Sequence, residues 1–472
     1  MQRRLPRRFP LWLICAGDLA VLNLALMFVF YLRFGGVLPA ANFGALVDTL
    51  PWASAVAVFL FAGLGLYERN LGGFVPVMRA LIPAIIGVSL ATAAIAFWVR
   101  GFAFPRSVLV LGAFAQFGGV LAWRGFCWYL DRWLHGRRGL LVVGAEETVH
   151  PLLEKLLDLP ERLFHIRAVV DPQDPALKRH LAGADAVVVG PGVPPSAKAK
   201  LVAACLEAGR DVYLVPELYE VMLTGARVTE LEDLPVLRVE DIRMSAGQAF
   251  LKRAVDIGVA SFVLLVTGPL LILVALLVRL SSPGPVFYLQ ERIGLRGRSF
   301  RLLKFRTMID DAEKETGPVL AQANDPRITR LGRMLRATRL DEFPQLLNVL
   351  KGEMSLVGPR PERPVFVDEY TRANPAYHYR HLVKPGLTGV AQVYGRYTTS
   401  PEDKLRYDLY YIRNYSLLLD LKILLRTVPV ALTPSAARGE IKEASDKTAA
   451  IHALMSGARE TAAGGDERKL AD

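Results

Sequence analysis

The chain has 472 residues, a length that leaves room for two or three domains. Its hydrophobic fraction of 52% and its mean hydropathy of +0.29 are too high for an ordinary soluble protein. The net charge of +12 suits nucleic acid, an anionic membrane surface or a phosphorylated substrate, and the gathering of the apolar residues into long runs favours the membrane.

Four apolar runs fill most of the first 135 residues, and each approaches the ~20 residues that a helix needs to cross hydrocarbon. We therefore predict four transmembrane helices within residues 1–135. Asp18 and Arg124 interrupt two of the runs within about two turns of a helix end, where we expect their side chains to reach water and to have a structural role. The runs are Leu11–Leu32, Leu50–Leu66, Ala80–Val99 and Ser107–Leu130.

Basic residues indicate how this region is oriented in the membrane. Arginines precede the first run and follow the fourth, whereas the loops after the first and third runs are poorer in charge. Since basic residues concentrate on the cytoplasmic side, we predict that the N-terminus and everything after residue 135 are cytoplasmic. The arginines are Arg3, Arg4, Arg7 and Arg8 before the first run, and Arg132, Arg137 and Arg138 after the fourth.

Residues 139–240 alternate short valine-rich segments with polar helical ones, a βαβ pattern that predicts a Rossmann-like α/β domain. The predicted strands are Leu140–Val143, Ile166–Val170, Ala186–Val189 and Asp211–Val215, with helices near Glu147–Leu159 and Ser196–Ala208.

The turn after the first of these strands does not suit a dinucleotide. It reads Gly144-Ala145-Glu146-Glu147, so two glycines of the Gly-x-Gly-x-x-Gly pattern are missing and two carboxylates stand where phosphates would bind. Asp171 could imitate the acid that binds a ribose, but strand ends often carry Asp for turn formation. We interpret the domain as degenerate, with a structural or regulatory role.

The run Ile257–Val278 is uncharged and long enough to span a membrane, but Gly268-Pro269 lies in its middle. Lys252 and Arg253 precede the run, and further arginines follow it, whereas a spanning helix should have one basic flank. We predict a re-entrant helix over residues 254–280 that bends at Gly268 and Pro269 and leaves on the side from which it entered. A proline-kinked spanning helix is the alternative.

The segment Asn324–Pro361 combines the carboxylate pair Asp341-Glu342 with many arginines and a Gly-Pro-Arg-Pro turn. Asp341 is expected to cap a helix over Phe343–Leu350. The arginines are expected to hold its carboxylate ionised, which suits attack on phosphorus with help from a divalent cation. A basic membrane-facing surface with ordinary ion pairs is the alternative. The arginines are Arg327, Arg330, Arg333, Arg336, Arg339 and Arg360.

Six motifs occur in order between about residues 250 and 430. They are Ser281-Ser282-Pro283-Gly284-Pro285-Val286-Phe287, Lys304-Phe305-Arg306-Thr307-Met308, Leu340-Asp341-Glu342-Phe343-Pro344-Gln345, Gly358-Pro359-Arg360-Pro361, Lys384-Pro385-Gly386-Leu387-Thr388-Gly389, and Gln392 through Arg396. With this series the chain resembles the bacterial polyprenyl-phosphate hexose-1-phosphate transferases, and its N-terminal part resembles the large polytopic branch of that family. Two positions depart from the family pattern: Gly268-Pro269 replaces a frequent Ser-Pro, and Phe343 replaces a usual Leu.

The resemblance implies a mainly α-helical catalytic domain over residues 250–433, on the cytoplasmic side of the bacterial cytoplasmic (inner) membrane. Asp341 would attack the β-phosphorus of a UDP-hexose and release UMP, and undecaprenyl phosphate would then accept the sugar phosphate. Asp341 and Glu342 would be catalytic and would also hold Mg²⁺. Predicted substrate-binding residues are Lys304, Arg306, Arg336, Arg360, Gln392 and Arg396.

Further expectations concern partners and rival functions. We expect contact with membrane lipids, a homodimer, no nucleic-acid partner and a disordered tail over residues 434–472. Two other functions stay open, namely a membrane-tethered NAD-dependent sugar-modifying enzyme and a non-enzymatic scaffold for polysaccharide assembly. The sequence does not select among hexoses, with glucose and galactose the leading candidates.

Overall fold

A computed structural model describes residues 10–37, 39–68, 74–100, 105–135, 138–157, 164–239, 242, 244–309, 325–395 and 399–431. The predicted disordered tail and Arg396 lie outside these residues. The described chain divides into two compact units, of which unit 1 extends to Pro216 and unit 2 begins at Glu217.

Unit 1 opens with four long apolar helices: α1 (Leu11–Arg33), α2 (Ala40–Gly63), α3 (Phe74–Arg100) and α4 (Arg106–His135). Together with a later helix, Ala246–Ser281, the described residues contain five helices long and apolar enough to cross a membrane. Many of their large apolar side chains point outward, as a lipid environment requires. The chain therefore has the features of a multi-pass membrane protein.

The charged residues inside this bundle pair with each other. Arg124 on α4 donates to both carboxylate oxygens of Asp18 on α1, at 3.1 and 2.5 Å, and to the carbonyl of Leu66 at 2.8 Å. Asp18 is fully buried and Arg124 is 8% exposed. The expectation that these side chains reach water is wrong, because an ion pair between two helices satisfies both charges inside the protein. Their role is structural.

The rest of unit 1 is a four-stranded parallel sheet with helices between its strands. The strands are β1 (Arg138–Val143), β2 (Phe164–Val170), β3 (Ala186–Val189) and β4 (Asp211–Leu214), in the order β2-β1-β3-β4. The helices are α5 (Glu146–Leu157), α6 (Leu177–Gly183) and α7 (Pro195–Glu207). All four predicted strands are present. Apolar clusters form on both sides of the sheet, which explains the continuous valine runs.

Unit 2 begins with α8 (Leu218–Leu223), a hairpin of β5 (Arg227–Leu231) and β6 (Leu234–Arg238), and α9 (Ala246–Ser281). Helix α8 and the β5–β6 hairpin fall within residues 139–240, the range predicted from the sequence as the α/β domain. In the structure, Val221 of α8 is 3% exposed and belongs to the core of unit 2, beside Leu405 and Leu409.

The remaining elements of unit 2 surround that core. They are the antiparallel pair β7 (Phe287–Ile293) and β8 (Ser299–Phe305), α10 (Arg330–Thr338), α11 (Gln345–Lys351), β9 (Ser355–Val357), α12 (Pro364–Ala373), β10 (Gly386–Thr388), α13 (Val390–Tyr394), α14 (Pro401–Arg413) and α15 (Leu417–Ala431). Short 3-10 helices occur at Leu295–Gly297, Leu340–Glu342 and Pro375–Leu382. Strands β9 and β10 pair in parallel.

Helix α9, which is itself part of unit 2, contacts other elements of that unit near both of its ends. Arg253 donates to the carbonyls of Val349 and Leu350 at 2.6 and 2.7 Å, at the end of α11. Val278 packs in a cluster with Phe305 of β8. A straight helix would separate Arg253 and Val278 by about 37 Å, yet α11 and β8 are neighbours: the amide of Asn348 in α11 accepts the N–H of Leu303 in β8 at 3.0 Å. The two ends of α9 therefore contact two neighbouring elements of unit 2, α11 and β8.

Candidate active site

The carboxylate pair lies in a tight turn between α10 and α11. Arg339 ends α10 in the left-handed conformation, with φ 59° and ψ 12°, and the 3-10 helix Leu340–Glu342 follows at once. Helix α11 then begins at Gln345 behind Pro344, with no side-chain cap. The predicted N-cap role of Asp341 is wrong, because the 3-10 turn separates Asp341 from the first residue of α11.

Glu342 is held by two cations that come from two other motifs. Lys304 Nζ, on β8, lies 3.1 Å from its carboxylate, and Arg360 Nη2, just beyond β9, lies 2.7 Å away. Burial alone would raise the pKa of Glu342, but the charges of Arg360 and Lys304 hold that pKa well below its ordinary value. Glu342 is therefore ionised at neutral pH.

The pKa of Asp341 shifts in the opposite direction from that of Glu342. It is 7% exposed, and burial together with the charge of Glu342 raises its pKa in spite of Lys304, Arg336 and Arg339. Lys304, Arg336 and Arg339 therefore lower the pKa of Asp341 less than burial and Glu342 raise it, and the ionised state of Asp341 stays a prediction. Asp341 is thus the more basic carboxylate of the pair, which suits a nucleophile.

A close contact places α10 against the end of β8. A Cβ at Gly332 would lie 2.0 Å from the carbonyl oxygen of Thr307, so only glycine permits this approach. Thr329 caps α10 by accepting the N–H of Gly332 at 2.9 Å. Arg336, one turn later, donates to Thr307 Oγ1 at 2.8 Å and so lies beside the carboxylate pair.

A second close contact forms the base of the loop that carries Arg360. The N–H of Gly358 donates to the carbonyl of Thr388 at 2.9 Å, and the N–H of Gly386 donates to that of Pro359 at 2.8 Å. A Cβ at Gly386 would lie 2.1 Å from the nitrogen of Gly358. The two glycine-containing motifs therefore pack backbone against backbone.

The other predicted substrate-binding residues have different surroundings. Arg306 is 6% exposed and donates to the carbonyls of Ser282 and Pro283 at 2.7 and 2.8 Å, so it braces the turn that follows α9. Gln392 donates to the carbonyl of Leu387 at 2.9 Å. Only Lys304, Arg336 and Arg360 lie beside the carboxylate pair, and Arg396 is outside the described residues.

Two charged residues close to this site, Arg380 and Asp408, were not among the site residues predicted from the sequence. Both are almost fully buried, at 4% and 2% exposure. A signal for Asp408 existed: it lies on the apolar face of α14 together with Leu405 and Ile412, where a charge needs a partner.

Asp341 and Glu342 are the residues of this site whose chemistry suits a divalent cation. Within the described residues, no three His, Cys, Asp or Glu side chains are grouped as an all-protein metal site. Mg²⁺ usually keeps several waters and takes one or two carboxylates plus substrate phosphates, so Asp341 and Glu342 are the residues here that would hold it.

Fold and site together define a protein with the features of a multi-pass membrane protein, whose catalytic candidate is a buried carboxylate pair among lysine and arginine side chains. The family model described as bacterial sugar transferase matches residues 247–434, which include every residue of this site. The chain belongs to that family.

Curated relatives support this assignment. The chain is 40% identical over 51% of its length to a UDP-N-acetylgalactosamine-undecaprenyl-phosphate N-acetylgalactosaminephosphotransferase of Aeromonas hydrophila, covering 56% of that protein. It is 41% identical over 48% of its length to the UDP-glucose:undecaprenyl-phosphate glucose-1-phosphate transferase of Escherichia coli (strain K12), covering 50% of it. A transferase of the same name from Caulobacter vibrioides is 49% identical over 39% of this chain and 70% of its own length. The matches thus span about half the length of the first two relatives.

Proposed function

We propose that this protein transfers a hexose-1-phosphate from a UDP-hexose to undecaprenyl phosphate and releases UMP. This would be the first membrane step in building an exopolysaccharide, capsule or O-antigen repeat unit. The observation that carries the proposal is the meeting of Asp341, Glu342, Lys304 and Arg360, from three separate motifs, at one buried point. The names of the relatives, which specify undecaprenyl-phosphate transferases, support the choice of acceptor.

In the first step, a carboxylate oxygen of Asp341 attacks the β-phosphorus of the UDP-hexose. The bond between that phosphorus and the bridging oxygen breaks, and UMP leaves with the electron pair. The hexose-1-phosphate is then an acyl phosphate on Asp341. Lys304 and Arg360 neutralise charge that develops on the phosphate oxygens.

In the second step, a phosphate oxygen of undecaprenyl phosphate attacks the same phosphorus. The Asp341 carboxylate leaves and returns to its starting state, and the product is an undecaprenyl diphosphate-linked hexose. Glu342 stays ionised between Lys304 and Arg360 throughout, so it keeps both cations directed at the phosphates.

We also assign a Mg²⁺ ion to this site, held by Asp341 and Glu342 together with the substrate diphosphate. When bound, it would supply positive charge against the diphosphate and favour the ionised form of Asp341. Such a counter-charge is needed because burial and Glu342 raise the pKa of Asp341 in the protein alone.

The direct test of the proposed activity is release of UMP by purified protein from a panel of UDP-sugars. We expect UMP release that depends on undecaprenyl phosphate and that is limited to one or a few sugars. Because the relatives' names include both glucose and N-acetylgalactosamine, the panel should contain N-acetylated sugars besides glucose and galactose. No UMP from any sugar, in protein that is folded and supplied with Mg²⁺, would overturn the proposal.

The proposed location is the bacterial cytoplasmic membrane, with unit 2 on the cytoplasmic side and α9 re-entrant. The contacts of α9 with neighbouring parts of unit 2 near both ends support a bend at Gly268-Pro269. Pro269 lacks the N–H that would continue the helical ladder there. Exposed apolar residues on both sides of the bend, such as Phe262 at 66% and Ile272 at 73%, would contact membrane lipids.

Thiol labelling in intact cells tests this topology. Ser245 and Ser299 are exposed residues on either side of α9. In a protein freed of its three cysteines, we expect Ser245→Cys and Ser299→Cys both to resist a membrane-impermeant reagent and both to react once the membrane is opened. Val37→Cys, in the loop after α1, should react in intact cells and serves as the control. Labelling of Ser299→Cys but not Ser245→Cys in intact cells would mean that α9 spans the membrane.

For the part of residues 139–240 that lies in unit 1, up to Pro216, we propose a degenerate Rossmann-like domain with a structural or regulatory role. Its parallel strand order supports this assignment. Glu146 and Glu147 occupy the first turn of α5, where a dinucleotide would place its phosphates, so we favour neither NAD binding nor a NAD-dependent activity. The homodimer stays a prediction, for which the mass of the detergent-solubilised protein is the measurement.

A further inference from the structure

A buried ion pair lies behind the loop that carries Arg360. Arg380 is in the 3-10 helix Pro375–Leu382 and Asp408 is in α14, and their charged groups approach to 2.8 Å. Their side chains are only 3% and 2% exposed. A buried ion pair stabilises a protein little more than apolar side chains of similar size would. The presence of this pair therefore suggests that it holds a particular geometry.

The guanidinium of Arg380 contacts three elements at once. Besides Asp408, Nη1 donates to the hydroxyl of Tyr377, whose ring centre lies 4.8 Å from the guanidinium carbon. Nη2 donates to the backbone carbonyl of Arg360 at 2.8 Å. A planar guanidinium can hold partners in fixed directions, which a lysine ammonium on a flexible stem cannot do.

The contact with Arg360 links this pair to the carboxylate dyad. Arg380 fixes the peptide unit of Arg360, and the side chain of Arg360 reaches Glu342 at 2.7 Å. The side chain of Arg360 is 36% exposed, and Glu342 is the partner that its guanidinium contacts at hydrogen-bond distance. The direction of its guanidinium therefore depends on the orientation of its own backbone.

Asp408 holds Arg380 in place from the opposite side. Burial raises the pKa of Asp408 to about 6, although Arg380 lowers it. The carboxylate is therefore mostly charged at neutral pH and can retain Arg380 beside the carbonyl of Arg360.

We propose that Arg380 and Asp408 are positioning residues for the transfer reaction, which hold Arg360 in the direction from which it neutralises Glu342 and the transferring phosphate. This inference rests on the proposed function and adds two residues to it. A purely structural role in the core of unit 2 is the competing explanation, and the kinetics below separate the two.

The first measurement is UMP release by Arg380→Lys. This variant keeps a positive charge beside Asp408 but loses the planar guanidinium. We expect kcat to fall about tenfold, KM to stay within about twofold of the wild-type value, and the thermal midpoint to be unchanged. Asp408→Asn keeps the shape and should lower kcat in the same direction. Arg406→Lys is the matched control, because Arg406 pairs with Asp403 on α14 at 2.6 Å and should keep wild-type kcat. A lowered thermal midpoint with kcat unchanged in Arg380→Lys would overturn the proposal.

The second measurement is a double-mutant cycle with Arg360→Lys, which keeps a cation and measurable activity but removes the guanidinium whose direction is at issue. If Arg380 acts through Arg360, Arg380→Lys should cost about twofold or less in that background. A further loss of about tenfold there, equal to the loss in wild type, would mean that Arg380 acts independently and would refute the positioning role. A wild-type protein without UMP release would instead refute the proposed function itself.

Discussion

Asp341→Asn is expected to abolish turnover, lowering UMP release by at least about 10³-fold, because an amide is a far poorer nucleophile towards phosphorus than a carboxylate. Glu342→Gln should also be severely impaired, since Lys304 and Arg360 would lose the anion that both contact. Asp341→Asn should keep the fold, whereas Glu342→Gln leaves Lys304 and Arg360 without their shared anion and should lower the thermal midpoint as well. The measurement is UMP release by purified variants, with the thermal midpoint of each as a check on folding.

The matched control for this experiment is Asp171→Asn, in unit 1. Asp171 follows β2 and its carboxylate accepts the N–H of Gln173 at 2.8 Å, as expected for a turn. We expect near-normal activity in this variant. Near-normal activity in folded Asp341→Asn would contradict the covalent mechanism.

Removal of divalent metal is expected to stop the reaction completely. The substrate diphosphate and the pair Asp341-Glu342 are all anionic, and Lys304 and Arg360 have to serve both Glu342 and the phosphates. Bringing these anions together therefore needs additional positive charge. We expect no UMP release in EDTA after dialysis, and full recovery when Mg²⁺ is added in excess over the chelator.

The control for the metal experiment is enzyme carried through the same dialysis without EDTA, which should keep its activity. Full activity in chelator, after bound metal has been removed, would show that Lys304 and the arginines alone neutralise the phosphates. That result would remove Mg²⁺ from the mechanism and leave the role of Asp341 intact.

Sequence patterns were sufficient to predict those features of the fold that depend on local composition. Apolar runs predicted the helices of unit 1, although α2 begins at Ala40 rather than at Leu50. Valine-rich segments predicted all four strands of the parallel sheet, because strands buried on both faces read as continuous apolar runs. The order of the motifs indicated the family, to which the chain belongs.

Within the candidate site, sequence identified the acidic pair but not the opposite directions in which the two pKa values shift. Asp341 and Glu342 are adjacent in the chain and share the same arginine-rich surroundings, so local reasoning assigned them the same ionised state. In the structure, Lys304 and Arg360 converge on Glu342 alone, and the pKa values of the two carboxyls move in opposite directions.

The sequence by itself determined which segments form long apolar helices, which form the strands of the parallel sheet and which motif carries the acids, because these depend on residue type and periodicity. The tertiary structure alone decided that Asp18 pairs with Arg124, that Arg306 braces a turn, and that Arg380 lies behind Arg360. Each of these contacts joins residues that are at least 20 positions apart in the chain. Electrostatic energy depends on distance and burial in the folded protein, and neither quantity can be read from the spacing of charges along the sequence.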